Sequence, residues 1–422
     1  MSFETISVVG LGYIGLPTAA MFASRKKKVI GVDVNQNAVD TINRGEIHIV
    51  EPDLDMIVHA AVTEGYLKAV TTPEPADAFL IAVPTPFKEC AEGEIPEPDL
   101  RFIEAASKAI APVLKKGDLV ILESTSPVGA TEQMAEWLAG ARSDLTFPQT
   151  AGEDADVNIA HCPERVLPGH VVRELVENDR VIGGMSTHCS ERSVELYKTF
   201  VQGECVITNA RTAEMAKLTE NSCRDVQIAF ANELSVICDK LDINVWELIS
   251  LANRHPRINI LQPGPGVGGH CIAVDPWFIV SKTPEEAQII HTARKVNDAK
   301  PEWVINKVKL AIAEFLQANP DKTAREVTVA CYGLAFKPDI DDLRESPAMA
   351  ITQKISEMHA GRVVAVEPNI KVAPKNLESV ELLDLEIASK EADVKVLLVD
   401  HKEFRETLIA TDGIVIDTKG IW

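Results

Sequence analysis

The sequence predicts an α/β protein: two Rossmann-like parallel-sheet domains joined by a long central helix, with a helical middle region. Three observations predict this. Short apolar, β-branched runs alternate with helical stretches through the first third of the chain, and the same alternation closes it. Between them, Thr212 to about Leu241 contains neither Gly nor Pro.

In the first series, Thr5–Gly10, Lys28–Val34, Ala78–Val83 and Leu119–Thr125 read as buried strands. In the second, Val327–Leu334, Val363–Glu367, Val394–Val399 and Ile414–Asp417 read the same way. The central segment is too long for a routine crossover helix. At about 30 residues it would run about 45 Å, enough to join two α/β domains and offer a face to a second subunit, as in a homodimer. The expected division is a Rossmann domain over 1–208, a helical middle region over 209–310, and a second Rossmann-like domain over 311–422. Lys88–Pro98, rich in Pro and Glu, reads as an exposed loop.

Composition narrows the function. With 422 residues the chain exceeds the size at which one core stops growing. It is 46% hydrophobic and 25% charged, ordinary for a soluble enzyme. A net charge of −21, from 42 basic and 63 acidic residues, disfavours nucleic acid and membrane surfaces. An anionic substrate must then be held by a few local Lys, Arg and backbone N–H groups. The start, Met1-Ser-Phe-Glu-Thr5, lacks a basic n-region, and no apolar run approaches the ~18 residues of a membrane span. Eight cysteines (90, 162, 189, 205, 223, 238, 271 and 331) form no CxxC pair, so reduced thiols, no metal site and a cytoplasmic location are expected.

Gly10-Leu-Gly12-Tyr13-Ile14-Gly15 follows the first strand and opens a helix. The first glycine permits a tight turn, the second lets a pyrophosphate approach the backbone, and the third packs helix on strand. The phosphate then lies on the helix N-terminus. Asp33, at the end of the next strand, can accept from ribose hydroxyls and repels a 2′-phosphate, so NAD rather than NADP is expected. Lys26–Lys28 precede that strand and read as a solvated turn. Thr85 and Thr125 end two further strands, where cofactor or substrate would pass; alone, such threonines are ordinary turn or capping residues.

The densest chemical signal is Gly264-Pro-Gly266-Val-Gly268-Gly269-His270-Cys271-Ile-Ala-Val-Asp275-Pro276. Four glycines within six residues argue for unusual backbone angles and bare N–H groups rather than core packing. Such groups can stabilise a thiolate or an oxyanion, making Cys271 a candidate nucleophile. Cys238, within an apolar run, shows the inert pattern instead. His270 is adjacent to Cys271, and adjacent side chains usually point apart, which weakens a Cys–His pair. On the central helix Lys217, Asn221 and Arg224 share one face by spacing, a pattern that a solvated stripe explains equally well.

These blocks occur in order with Cys162-Pro-Glu164-Arg165, Glu214-Met-Ala-Lys217-Leu-Thr-Glu-Asn221, Gly333-Leu-Ala-Phe336-Lys337-Pro and Asp342-Leu-Arg344-Glu-Ser-Pro347. Together they resemble the nucleotide-sugar 6-dehydrogenase family, which includes the UDP-glucose and GDP-mannose dehydrogenases. The resemblance spans nearly the whole chain and implies that 1–208 binds NAD, that 209–310 holds the dimerising and catalytic-loop region, and that 311–422 binds the UDP-sugar. It implies a four-electron oxidation at C6 of a UDP-sugar that consumes two NAD⁺ and passes through a Cys271 thiohemiacetal and thioester. His-Cys-Ile-Ala-Val-Asp-Pro and Asn253-Arg-His255-Pro-Arg257 point to the branch oxidising UDP-N-acetyl-D-mannosamine, with UDP-N-acetylglucosamine or UDP-glucose as the alternatives.

The family also implies site roles. Lys217 and Asn221 would stabilise the oxyanion, Asp275 would order a water as base, Glu164 would serve thioester hydrolysis, and Thr125 would stand near the reacting centre. Substrate would meet Arg165, Val166, Lys217, Asn221, Arg224, His255, Arg257, Gly268, Phe336, Lys337 and Lys419. Arg344 would be offered to NAD.

Overall fold

A computed structural model describes residues 3–49, 51–91, 93–166, 169–269, 271–407 and 412–422. The chain divides into two compact units, Met1–Glu220 and Asn221–Trp422, with the boundary inside a long helix, Ala210–Lys240.

The first unit carries an eight-stranded sheet among the described residues: β1 (Thr5–Val9), β2 (Lys28–Val32), β3 (Leu67–Val70), β4 (Ala78–Ile81), β5 (Leu119–Leu122), β6 (Asn158–His161), β7 (Arg180–Gly184) and β8 (Cys205–Asn209). Their order is β3-β2-β1-β4-β5-β6-β7-β8, parallel throughout except between β6 and β7. Helices cover both faces, so the central strands are apolar on both sides: Ile6 and Val8 join one core with Phe22 and Tyr197, Phe79 and Ile81 another with Ile103 and Met134. The order reverses between β1 and β4, opening a crevice outside their carboxyl ends.

The second unit repeats the plan with β9 (Val329–Tyr332), β10 (Val363–Val366), β11 (Glu381–Leu382), β12 (Val394–Leu397) and β13 (Ile414–Asp417), ordered β11-β10-β9-β12-β13 and wholly parallel. Every strand predicted from sequence is present, but most end earlier than expected. Gly10 and Gly333 take φ of +93° and +91°, which turns the chain out of the ladder after Val9 and Tyr332.

The predicted central helix is 31 residues long. A second helix of the same length, Gln288–Ala318, has no counterpart among the elements read from sequence, and it contains Pro301. Proline removes one helical hydrogen bond and usually breaks the run. Here a buried polar network holds the turn before it: Arg294 donates to Asp225 at 2.7 Å, and Asn297 Nδ2 donates to the same carboxylate at 2.8 Å. The boundary drawn at residue 310 falls inside this helix. The Lys88–Pro98 loop is closed at its base by a bridge from Phe87 to Pro98. No helix among the described residues is long and apolar enough to cross a membrane.

Candidate active site

The first unit presents its sequence-predicted residues along the carboxyl edge of the sheet. A Cβ on Gly10 would lie 2.6 Å from the Ala82 carbonyl oxygen, and one on Gly15 only 1.7 Å from that of Gly10. One on Gly12 would meet nothing within 4 Å. Two glycines thus serve close packing, while the middle one leaves bare backbone facing open space, as a dinucleotide pyrophosphate requires. Tyr13 is exposed and Ile14 half-buried at the start of the following helix, Gly15–Ser24. Asp33 Oδ2 accepts from Leu11 N–H at 2.9 Å and Oδ1 from Asn35 N–H at 2.8 Å, which fixes the carboxylate beside the glycine turn. Thr85 and Thr125 follow β4 and β5, both half-buried, and Thr85 Oγ1 has no hydrogen-bond partner among the described residues. These residues fit a dinucleotide.

Further along this edge, Glu164 is buried. Its Oε1 accepts from the Arg165 N–H at 2.7 Å, and its Oε2 lies 2.9 Å from Arg180 Nη1. Arg165 pairs with Glu220 at 2.8 Å, and Val166 packs on the core. Sequence reasoning missed Arg180, Glu123 and Tyr197. Glu123 accepts from the Tyr197 hydroxyl at 2.6 Å, and burial pushes its carboxyl up to about 7. It also missed Glu214, which accepts from the Gly129 and Thr131 N–H groups at 2.7 and 2.8 Å and so ties the long helix to the start of Ala130–Ala141. Lys217, one turn on, is half-buried.

In the second unit Cys271 is exposed and begins a turn that runs into the helix Asp275–Lys282, its carbonyl accepting from Asp275 N–H at 2.8 Å. Asp275 is buried and accepts from Asn221 Nδ2 at 2.5 Å, joining the long helix to the cysteine turn across 54 residues. Arg224, on the same helix, is exposed. Lys337 is half-buried: desolvation lowers its pKa, opposed by attraction to Cys271 and reinforced by repulsion from Arg224. That puts one cation, Lys337, in electrostatic reach of the thiol, with Arg224 acting on Lys337 in turn. His270 lies outside the described residues.

The glycine loop corrects one expectation. Gly266 and Gly269 have φ of +152° and +83°, but tight packing is equally at work. A Cβ on Gly268 would sit 2.3 Å from the Glu345 carbonyl oxygen, and one on Gly269 3.1 Å from the Phe336 ring. Gly264 N–H donates to Asn232 Oδ1 at 2.9 Å, so a further residue of the long helix anchors the loop.

The other substrate-facing predictions are dispersed. Lys419 pairs with Asp400 at 3.2 Å and lies beside Gly264. His255 and Arg257 stand exposed in the turn after Val245–Ala252, with Arg257 N–H donating to His255 Nδ1 at 3.3 Å. Arg344 is paired with Asp342 at 2.6 Å.

Comparison with known proteins adds three matches along the chain. Residues 4–201 match the NAD binding domain of the UDP-glucose/GDP-mannose dehydrogenase family, 211–299 its central domain and 330–422 its UDP binding domain. The UDP-N-acetyl-D-mannosamine dehydrogenase of Yersinia pestis is 69% identical over the full length of both chains. The NDP-N-acetyl-D-galactosaminuronic acid dehydrogenase of Ralstonia nicotianae is 64% identical, covering 100% of this chain and 97% of that one. Among solved structures, the UDP-N-acetyl-mannosamine dehydrogenase of S. aureus superposes with a TM-score of 0.84 at 42% identity, covering 99% of this chain and 95% of that one.

Proposed function

The chain belongs to the UDP-glucose/GDP-mannose dehydrogenase family, NAD-dependent enzymes, and from that premise we propose that it oxidises the C6 alcohol of UDP-N-acetyl-D-mannosamine to the uronate. The observation that carries the chemistry is the hydrogen bond from Asn221 to Asp275 one turn from Cys271. It supports one catalytic group made of the long helix and the cysteine turn.

NAD, when bound, accepts a hydride in each of the two oxidations. The chain does the rest. Asp275 orders the water through which the C6 hydroxyl loses its proton, and Lys217 and Asn221 stabilise the alkoxide. The Cys271 thiolate, with Lys337 in electrostatic reach, adds to the aldehyde carbon and gives a thiohemiacetal, which keeps the aldehyde bound. Loss of the second hydride leaves a thioester. Water then attacks its carbonyl carbon, Glu164 takes the water's proton, and the C–S bond breaks to release the acid and the thiolate. Thr125 lines the reacting centre.

We assign NAD binding to 1–208 through Gly10, Gly12, Tyr13, Ile14, Gly15, Asp33, Thr85 and Thr125, with Arg344 contributed from 311–422. Arg165, Val166, Arg224, His255, Arg257, Gly268, Phe336, Lys337 and Lys419 receive the UDP-sugar. The long helix carries exposed Met215, Phe230 and Ile237, which supports a homodimer through this helix; light scattering of the intact protein tests it. The eight cysteines, all unpaired in disulfides, suit a reducing cytoplasm.

The 64% identity to the galactosaminuronic acid enzyme favours one second reading, the C2 and C4 epimeric substrate UDP-N-acetylgalactosamine. Turnover of the mannosamine sugar should exceed that of UDP-N-acetylgalactosamine, UDP-N-acetylglucosamine and UDP-glucose, with two NADH formed per sugar. A preference for another sugar would reassign the substrate and keep the chemistry. Cys271→Ser tests the mechanism. It should bind NAD⁺ and UDP-sugar almost normally yet lose steady-state acid formation, because a serine hydroxyl without an adjacent base is a poor nucleophile. Sustained release of acid with two NADH per sugar would remove Cys271 from the mechanism.

A further inference from the structure

The sheet of the first unit has one antiparallel pairing, β6 with β7, in the register His161 to Gly183 and Ala160 to Gly184. Because β7 runs backwards relative to β6, its first residue, Arg180, arrives at the carboxyl edge beside Glu164. A parallel strand would have left it at the opposite edge. The Arg180 guanidinium is buried over the Tyr197 ring at 4.7 Å and that of Phe200 at 5.8 Å. Its Nη1 stands 2.9 Å from Glu164 Oε2, 3.9 Å from Glu123 Oε1 and 4.0 Å from Cys162 Sγ. Glu123 Oε2 and Arg180 Nη2 are buried without hydrogen-bond partners among the described residues.

One cation therefore serves two buried carboxyl groups, and it is a full ångström closer to Glu164. A buried carboxylate without a cation takes up a proton instead of keeping its charge. The other groups facing the cluster do not titrate near neutrality. Burial pushes the Cys162 thiol up to about 12 and the Tyr197 phenol well above its ordinary value, and the neighbouring His161 is held neutral, its pKa brought down to about 3. Glu123 is the exception, because burial pushes its carboxyl up to about 7.

We propose that Arg180 is a positioning residue for Glu164, holding charged and aimed the carboxylate that draws the proton from water during hydrolysis of the Cys271 thioester. This rests on the assignment of Glu164 to that step. Atoms balance simply: the water oxygen bonds to the acyl carbon, its proton goes to Glu164, and the sulfur leaves as thiolate.

The test is kcat against pH, with intact mass of the enzyme taken during turnover with excess NAD⁺ and UDP-sugar. Arg180→Met should give a burst of two NADH per active site, an acyl adduct on Cys271, and acid release slowed up to several-fold at pH 7 and by more as pH falls. Activity should return as pH rises, the acidic limb of kcat standing about 1–3 pH units higher than in the unmodified enzyme. Arg180→Met/Glu123→Gln removes one buried carboxyl along with the cation, so it keeps the test alive if the single variant fails to fold; its limb should also rise. A limb at its original pH in either folded variant overturns the proposal. Glu123→Gln alone copies the protonated group and should leave the limb in place; a limb lost with Glu123 would make that residue the base and also overturn it. Glu164→Gln is the separate control. Acid release at the unmodified rate in that variant would defeat the assignment of Glu164 itself.

Discussion

The two parallel sheets begin alike and end differently. In the first, Gly10-Leu11-Gly12 leaves β1 and Asp33 stands at the end of β2; in the second, Gly333-Leu334-Ala335 leaves β9 and Glu367 stands at the end of β10. Both first glycines have positive φ near +92°, and both acids accept backbone N–H groups from the turn. The difference lies in what remains free. Asp33 is half-buried, and Gly12 faces open space. Glu367 is buried, takes the N–H groups of both Leu334 and Ala335 at 2.7 and 3.0 Å, and is closed over by His401, whose Nε2 lies 3.0 Å away. The turn leaves backbone open to an anion in one unit and is a sealed structural joint in the other. Sealing it fixes the chain leading to Phe336 and Lys337, which meet the glycine loop of the cysteine.

The harshest way to break this comparison is to replace the shared glycine. Gly10→Val would drive a branched side chain into the Ala82 carbonyl, and Gly333→Val into Val399, whose Cβ lies 2.4 Å from the new Cβ. Each also forces positive φ on a β-branched residue, so each should cost about 3 kcal/mol or more. Urea unfolding followed in each unit should show the damage confined to the unit that carries the change. Equal loss in both would mean that the two sheets unfold as one.

The first glycine turn was legible in the sequence because strand, glycine and helix are a local pattern, whereas Gly333 fell inside the predicted strand Val327–Leu334. Parallel strands buried on both faces read as continuous apolar runs, which is why β1, β2, β4 and β5 and their counterparts β9, β10, β12 and β13 were found. The edge strand β11, only two residues long, offers too little pattern to find. The second long helix contains Pro301, and the residues before that proline bond to Asp225, some 70 residues away, which no local pattern displays. The named residues Asn221 and Asp275 were both visible, but their contact was not. Arg180, Glu123 and Tyr197 gave no signal at all, because no short-range spacing links side chains contributed by separate strands and a helix.

A smaller effect separates the two acids. Burial alone would raise the Glu367 carboxyl, but the hydrogen bonds from His401 and from the Leu334 and Asn369 N–H groups outweigh it and hold it at about 2. Its folded pKa is thus depressed, so its stabilisation is complete above the ordinary carboxylate value of 4.5 and is lost as pH falls towards 2. That contribution is about 3 kcal/mol at neutral pH. Glu367→Gln should lower stability by this order at pH 7 and flatten its decline between pH 4.5 and 2, as thermal melts across that range would show. NAD⁺ affinity should be unchanged. A fall in NAD⁺ affinity would mean that the sealed turn does bear on the dinucleotide.

Asp33→Ala should do the reverse, leaving stability within about 1 kcal/mol and weakening NAD⁺ by about tenfold, the loss of about 1.4 kcal/mol from one charged hydrogen-bond acceptor. The gap to NADP⁺ should narrow, because the repulsion of a 2′-phosphate goes with the carboxylate. Titrations of both cofactors by fluorescence measure this directly. An unmodified protein that turns over NAD⁺ and NADP⁺ equally would deprive Asp33 of its selective role.

The smallest effect is the most informative about why the second turn is silent. Ala335→Gly makes the two sequences match at the middle position, Gly333-Leu-Gly against Gly10-Leu-Gly12. If the missing glycine were what distinguishes the turns, this single change would open a second dinucleotide site. The hydrogen bonds argue otherwise. The N–H groups of residues 334 and 335 are already spent on Glu367, and a smaller side chain at 335 does not release them. Ala335 is also fully buried, so removing its methyl group should cost about 1 kcal/mol, partly through added freedom in the unfolded chain. The expected result is a slightly less stable protein with its NAD⁺ stoichiometry unchanged at one per chain by calorimetry. A second NAD⁺ bound in Ala335→Gly would show that the methyl group, and not the buried Glu367–His401 pair, keeps the second turn closed.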